Sequence, residues 1–368
     1  MRQNTQMELQ APVAPSGLEL QLKKQRRTVD FDTFDIHMQQ LLAMLSSGQI
    51  KISPAYQRKF RWSPKRCSQF IESVMLGIPI PSLFMATNAD STWEVVDGVQ
   101  RLSTIVKFAG DSDLRDQLEL NGQLALGELQ KLSDFNGLSF GTLPAPLQLH
   151  FLTRPLKVVT LNDKSDMVVR YDLFERLNTG GVALSPQEIR DCVYRGPFAE
   201  RLETWAQHPN FLSAVKLTPL QQRDATGEEC VLRFFAFLNC YREFDHNVTE
   251  FLNTYMESAS KQFDYDQAGA IFTKTFREIA RVFPAGIRRP GTRKTTPLNL
   301  FEGVAVGAAL ALREINRLHT GGLGAWMKSE ELRKFTTGAT NDRSAVKGRI
   351  EFCRDRFLGK AYVSRPPA

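Results

Sequence analysis

The chain has 368 residues, of which 42% are hydrophobic, 24% charged and 10% aromatic. That mix excludes a disordered, collagenous or short disulfide-stapled chain, and at roughly one domain per 150 residues it suggests about two domains. Lys and Arg outnumber Asp and Glu by 47 to 40, a net charge of +7, which suits nucleotide or nucleic-acid partners without establishing them.

Residues 1–28 carry few large apolar side chains, hold Pro12 and Pro15, and end in Lys23-Lys24-Gln25-Arg26-Arg27. They read as a flexible basic lead-in; a nucleic-acid-contacting arm is the sharper alternative. Folded structure is expected from about Val29. Ile36, Leu41, Leu42, Met44 and Leu45 recur at helical spacing, and Ser47-Gly48 ends that helix. Ser63-Pro64 opens a second helix, with Ser63 as N-cap. Its apolar positions Cys67, Phe70, Ile71, Val74 and Met75 share one face, and Gly77 stops it.

Strands follow at Ser82–Thr87 and Trp93–Val96, joined by a turn at Asn88–Ser91. Gly98 breaks the second strand, and Leu102, Ile105, Val106 and Phe108 restart helical periodicity. Residues 110–150 look like an insertion of turns with one short helix, punctuated by Gly122, Gly127, Gly137, Gly141, Pro144 and Pro146. Pro155–Leu161 reads as a strand and Asp166–Leu177 as a helix ending at Asn178-Thr179-Gly180-Gly181. Ser185-Pro186 then repeats the cap chemistry of Ser63-Pro64. Beyond about 197 the pattern is helical, with apolar stripes near 228–243, 248–262, 266–283, 298–318 and 342–357. The expectation is therefore an α+β N-terminal domain over 29–197 and an all-helical domain over 198–368.

Three segments carry candidate chemistry. In Glu94-Val95-Val96-Asp97-Gly98-Val99-Gln100-Arg101, a strand turns at Gly98 into a helix whose first N–H groups lack helical partners, a setting that binds phosphate. Arg101 adds a two-pronged donor, and Asp97 sits where it would hold a metal ion or polarise water. In Tyr56-Gln57-Arg58-Lys59-Phe60-Arg61-Trp62, cations alternate with aromatic rings, as on nucleotide and nucleic-acid surfaces; packing of an edge segment is the plainer reading. In Phe174-Glu175-Arg176-Leu177-Asn178-Thr179-Gly180-Gly181, a helix C-cap explains the glycines but not Arg176. A further loop, Arg288-Arg289-Pro290-Gly291-Thr292-Arg293-Lys294, concentrates four cations that suit phosphate contact as well as solvent.

Absent motifs narrow the field. There is no GxxxxGK[ST] and no GxGxxG, so neither a P-loop nor a dinucleotide fingerprint is present. His37, His150, His208, His246 and His319 lack zinc-helix spacing, and His208-Pro209 reads as a helix-ending turn. Cys67, Cys192, Cys230, Cys240 and Cys353 lie far apart, without CxxC, and read as reduced thiols. The N-terminus has no apolar signal core, and the longest apolar run, Gly303 to Leu312, is too short for a bilayer. A soluble cytoplasmic protein without membrane contact is expected.

Taken in order, Tyr56-Gln57-Arg58 with Arg61-Trp62, Ile71-Glu72-Ser73 with Gly77-Ile78-Pro79-Ile80-Pro81, Val96-Asp97-Gly98-Val99-Gln100-Arg101 and Phe174–Gly181 resemble the DUF262 family, the S-type domain of GmrSD-like, modification-dependent restriction systems. The resemblance implies a ParB/sulfiredoxin-like fold and NTP binding and hydrolysis, with Mg²⁺ as cofactor. The family's Asp-Gly-Gln-Gln-Arg motif maps onto Asp97, Gly98, Gln100 and Arg101, Val99 replacing the first glutamine. Asp97, Gln100 and Arg101 are then the catalytic candidates, Asp97 the metal ligand. Tyr56, Gln57, Arg58, Gly98, Arg101, Arg176 and Asn178 are the nucleotide-binding candidates. Lys59, Arg61, Arg288, Arg289, Arg293 and Lys294 are expected to meet DNA, modified phage DNA being the implied target. The C-terminal half lacks the histidine setting of the HNH (DUF1524-type) nuclease that many relatives carry, so a separate nuclease subunit is expected; homo-oligomerisation stays open. Two other readings stay open: a metal-dependent nuclease using Asp97 with Glu94, Asp172, Glu175 or Asp191, and a non-catalytic adaptor or antitoxin-like subunit.

Overall fold

The computed structural model describes residues 17–18, 30–52, 60, 62–88, 90–162, 171, 175–176, 185–289, 294–338 and 340–361. Two compact units divide between Arg170 and Tyr171.

The first unit is α+β. Its strands are β1 (Phe31–His37), β2 (Ile50–Lys51), β3 (Leu83–Thr87), β4 (Trp93–Asp97) and β5 (Pro155–Leu161), in the order β1-β5-β3-β4-β2. β1 runs antiparallel to β5, β5 parallel to β3, β3 antiparallel to β4, and β4 parallel to β2. The helices are α1 (Met38–Ser46), α2 (Pro64–Leu76), α3 (Val99–Ala109), α4 (Ser112–Gln117) and α5 (Ala145–Leu152). The central strands bury both faces, through Leu83, Met85, Val95 and Val96.

The caps read from sequence do the work assigned to them. Ser63 accepts the Arg66 N–H at 3.3 Å, Pro64 occupies the first helical turn, and Gly77 takes φ +72 to end α2. The α2 stripe of Cys67, Phe70, Ile71, Val74 and Met75 is buried, as the spacing requires.

Two features differ from the sequence reading. Phe31–His37 is a strand, and Ile36 belongs to it rather than to the following helix. As an edge strand with one partner, β1 buries only Ile36, so no alternating pattern announces it. The 110–150 segment holds two α-helices, α4 and α5, besides 3₁₀ turns at Ser133–Phe135 and Phe140–Thr142. α5 brings Phe151 to 5.2 Å from Phe108, centroid to centroid, and His150 Nε2 lies 3.1 Å from the Met75 carbonyl on α2. The segment therefore helps to cover the core.

The second unit is helical among its described residues. It comprises α6 (Pro186–Val193), α7 (Pro197–Ala206), α8 (Pro209–Ala214), α9 (Thr226–Cys240), α10 (Val248–Lys261), α11 (Tyr265–Val282), α12 (Leu298–Ala311), α13 (Leu323–Trp326), α14 (Glu330–Thr336) and α15 (Arg343–Phe357). α12 is buried along nearly its whole length, which is why the Gly303–Leu312 run is apolar on every side. A Cβ on Gly307 would lie 2.7 Å from the Arg354 nitrogen, so glycine there lets α15 pack at close range. No helix among the described residues is long and apolar enough to cross a membrane.

α6, grouped from sequence with the N-terminal domain, is tied into this unit by a buried chain of charges. Arg190 meets Glu229 at 3.3 Å, Arg233 meets Glu229 at 2.7 Å and Glu302 at 2.6 Å, and Glu302 also receives Arg349. Glu302 and Arg349 are fully buried. Such groups persist in a core only when paired. His208 sits in the turn that ends α7, as expected, its N–H donating to the Trp205 carbonyl at 3.1 Å, and it also caps the start of α8, its Nδ1 accepting the Asn210 N–H at 3.2 Å.

Candidate functional site

The antiparallel pairing of β3 with β4 places the end of β4 beside the start of β3, Asp97 opposite Phe84. There the chain turns at Gly98, whose φ of +100 favours glycine and whose missing Cβ would lie 2.2 Å from Leu83 Cδ2. The first α3 hydrogen bond runs from the Leu102 N–H to the Gly98 carbonyl at 2.9 Å. Gly98 offers no side-chain cap, so the opening turn of α3 presents backbone donors at the positive end of the helix.

Arg101 does not point outward from this turn. Its side chain is about nine-tenths buried, and its guanidinium donates to the carbonyls of Pro81 and of Ser82, the latter at 3.0 Å. It also holds Asp97 at 2.5 Å. The sequence reading gave Arg101 to phosphate; here its donors are committed to locking β3, β4 and α3 together. Asp97 keeps 38% of its side chain exposed. The result is an anchored carboxylate at the mouth of a helix N-terminus.

Gln100 serves a different contact. Its Oε1 accepts the Trp62 N–H at 3.1 Å, which brings the end of the cation–aromatic segment to α3. Arg66 stacks over Trp62 at 4.8 Å and Lys107 over Phe60 at 4.9 Å. At the other end of the segment, β2 pairs with β4, Lys51 beside Glu94. The described flanks of the segment therefore meet β4 at Glu94 on one side and α3 at Gln100 on the other. Tyr56, Gln57, Arg58, Lys59 and Arg61 themselves lie outside the described residues.

The remaining candidates are dispersed. Glu94 is buried; the bulge in the β3–β4 ladder sets Asp97 opposite Phe84 and Glu94 opposite Ala86, so the two carboxylates share one face of the sheet. Val99, which stands where the resemblance expects glutamine, is buried. Glu175 and Arg176 are exposed in the second unit, whereas Asp172, Asn178 and the expected helix over 166–177, apart from Tyr171, Glu175 and Arg176, lie outside the described residues. Asp191 accepts from Gln187 Nε2 at 2.8 Å; burial, with Glu228 and Glu203 nearby, pushes its carboxyl up to about 7. Arg289 donates to the hydroxyls of Thr336 and, at 3.1 Å, of Thr337; burial and the neighbouring Arg333 push its guanidinium below its ordinary value. Arg288 and Lys294 lie in the same stretch of the helical unit, and Arg293 is outside the described residues. No group of three or more His, Cys, Asp or Glu able to hold a metal occurs among the described residues.

The contacts that sequence reasoning missed are the Pro81 and Ser82 carbonyls and the Gln100–Trp62 bond. Only the prolines Pro79 and Pro81 ahead of β3 hinted at the first, by fixing an extended entry to the strand.

A mixed sheet with a strand–glycine–helix junction, flanked by a cation–aromatic segment, defines an α+β domain built to present one helix N-terminus. Residues 39–195 match the family model of the GmrSD restriction endonuclease, N-terminal domain. Residues 39–195 thus resemble that domain, and the match covers less than half of the chain's length. No curated protein and no solved structure matches the chain.

Proposed function

We propose that this chain is the nucleotide-binding, NTP-hydrolysing and DNA-responsive component of a restriction system, and that a separate protein cuts the DNA. The observation that carries the reading is the junction itself. A half-exposed carboxylate, Asp97, is held by a buried arginine beside the uncapped N-terminus of α3, and Gln100 draws the Trp62 end of a cation–aromatic segment to the same place.

In this reading the phosphates meet the opening turn of α3, where backbone donors and the helix dipole favour negative charge. Gln57 and Arg58 stand as phosphate contacts and Tyr56 as the ring for the base, on the strength of the resemblance. Asp97 is the carboxylate that would hold Mg²⁺, which binds through one or two carboxylates plus substrate phosphates and neutralises charge on the transferred group. Arg101 acts as a positioning residue, fixing the Asp97 rotamer rather than touching phosphate. Arg176 and Asn178 stand as further nucleotide contacts. DNA meets the cations Lys59, Arg61, Arg288, Arg289, Arg293 and Lys294, with an affinity that falls steeply with salt.

The nuclease alternative finds less support. Two-metal and metal-water cleavage need carboxylates converging on one point, and no group of three or more His, Cys, Asp or Glu able to hold a metal occurs among the described residues. The test is nucleotide affinity for wild type and Asp97→Asn with Mg²⁺, beside plasmid integrity under the same conditions. Micromolar-range binding lost in the variant, with plasmid intact, supports the proposal. Equal binding by both, or plasmid cut by the pure protein, overturns it.

A further inference from the structure

The helical unit holds a second feature that the N-terminal junction leaves unused. Between α9, α10 and α11 lies a cleft of about 250 Å³ lined by Phe235, Asn239, Tyr255, Gln262, Phe263 and Gln267 among others. Around the C-terminal end of α9 lies another, of about 390 Å³, lined by Tyr241, Arg242, Glu243, Arg313, Glu314 and Arg354. Leu238 and Asn239 line both, so the two form one bent groove around the end of a single helix.

The chemistry of the two arms differs. The first is aromatic and uncharged apart from Asp264, whose carboxylate is occupied in capping α11, accepting the Gln267 N–H at 3.0 Å. Tyr255 receives Asn239 Nδ2 at 2.7 Å, and burial raises its hydroxyl above the ordinary value, so the hydroxyl stays a neutral donor. The side-chain amides of Gln262 and Gln267 make no hydrogen bond among the described residues, which leaves donors and acceptors at the rim of an aromatic slot. Such a slot suits a flat ring with polar edges.

The second arm is cationic. Arg242 stacks over Tyr241 at 5.6 Å and donates to its hydroxyl at 3.3 Å. Arg354 is steadied by Asp355 at 2.8 Å, and the side chain of Arg313 has no partner among the described residues. Of the two carboxylates in this arm, Glu314 is drawn off by Lys360 at 3.3 Å. Three guanidiniums therefore face a cleft of roughly phosphate chemistry, next to a ring-sized slot.

We propose that this groove binds one nucleotide, its base in the Tyr255–Phe263 arm and its phosphate among Arg242, Arg313 and Arg354. The ligand is a free mononucleotide or one nucleotide of a single strand, and the two share the chemistry. The site is independent of the α3 junction, so it stands or falls apart from the function proposed above.

Photolabelling of the full chain tests it, with an azido-substituted adenosine monophosphate in one arm and a short single-stranded DNA carrying iodouracil in the other. Label is expected in the peptides spanning Phe251–Phe263, reduced about tenfold by Arg313→Glu, as losing one charge-assisted phosphate contact implies. Gln262→Ala should weaken labelling as well. Both residues are exposed, and an unchanged melting temperature confirms that the variants fold. Label from the DNA alone assigns a nucleic-acid strand; label from the monophosphate, with or without the DNA, assigns a free nucleotide. Absence of label from these peptides with both probes overturns the proposal, as does labelling that Arg313→Glu leaves unchanged.

Discussion

Gly98→Ala puts the junction to its most direct structural test. The residue has φ +100, where an alanine is strained by about 1–3 kcal/mol. The new Cβ would also stand 2.2 Å from Leu83 Cδ2 and 3.2 Å from the Arg101 guanidinium. Leu83 is fully buried in a central strand, so it has little room to yield, and overpacking of that kind costs about 1–3 kcal/mol. Together the two effects predict a loss of about 2–6 kcal/mol, a large share of a typical domain stability of roughly 5–15 kcal/mol. Because the molecule has two units, amide hydrogen exchange is the suitable assay: it reads α3 and β4 separately from the helical bundle. Protection of α3 and β4 should fall while that of α12 and α15 stays as in wild type. A double variant with Leu83→Ala should show a coupling energy of about 1–3 kcal/mol, since the clash needs both side chains. Protection of α3 within about 0.5 kcal/mol of wild type would refute the packing described for Gly98.

Other expectations follow from the same geometry. Arg101→Met keeps the volume but strips donors from Pro81, Ser82 and Asp97, and should cost about 2–4 kcal/mol of first-unit stability by hydrogen exchange, together with nucleotide affinity; a fully stable variant would contradict the buried role of Arg101. Glu302→Gln leaves Arg233 and Arg349 facing a neutral group in the core and should destabilise the helical unit by about 3–5 kcal/mol in denaturant titration; a change under about 1 kcal/mol would sink the charge-chain account. Asp191 keeps its proton to about 7 when folded but loses it near 4 when unfolded. The folded state therefore binds more protons between those values, and helical-unit stability falls as pH rises from about 4 to 7. Asp191→Asn should raise the melting temperature more at pH 8 than at pH 4; an equal shift at both would show that Asp191 is not protonated in the fold.

Elements defined by local chemistry were legible in the sequence. Ser63-Pro64, Gly77, Ser185-Pro186 and the β-branched run Pro155–Leu161 each fix backbone or cap groups within a few residues, so helix starts and strands fell where expected. β1 was not legible because an edge strand with one buried side chain carries no alternation. The charge chain from Arg190 to Arg349 joins residues far apart in sequence, and nothing local marks Glu302, inside an apolar helix, as the partner of two arginines. At the candidate site, Asp97 and Gly98 could be picked out by the strand–glycine–helix pattern, and Gln100 by the family resemblance. The role of Arg101 could not, because its acceptors are backbone carbonyls of Pro81 and Ser82, brought within reach only by the β3–β4 pairing.

The central claim is that the β4–α3 junction binds and hydrolyses nucleotide in response to DNA. NTP hydrolysis by the purified chain with Mg²⁺, with and without DNA, measured beside Asp97→Ala, tests it most directly. The account predicts turnover that DNA stimulates and that the variant loses while its helical unit stays folded. Turnover undiminished in Asp97→Ala, or no turnover by wild type under either condition, would contradict it.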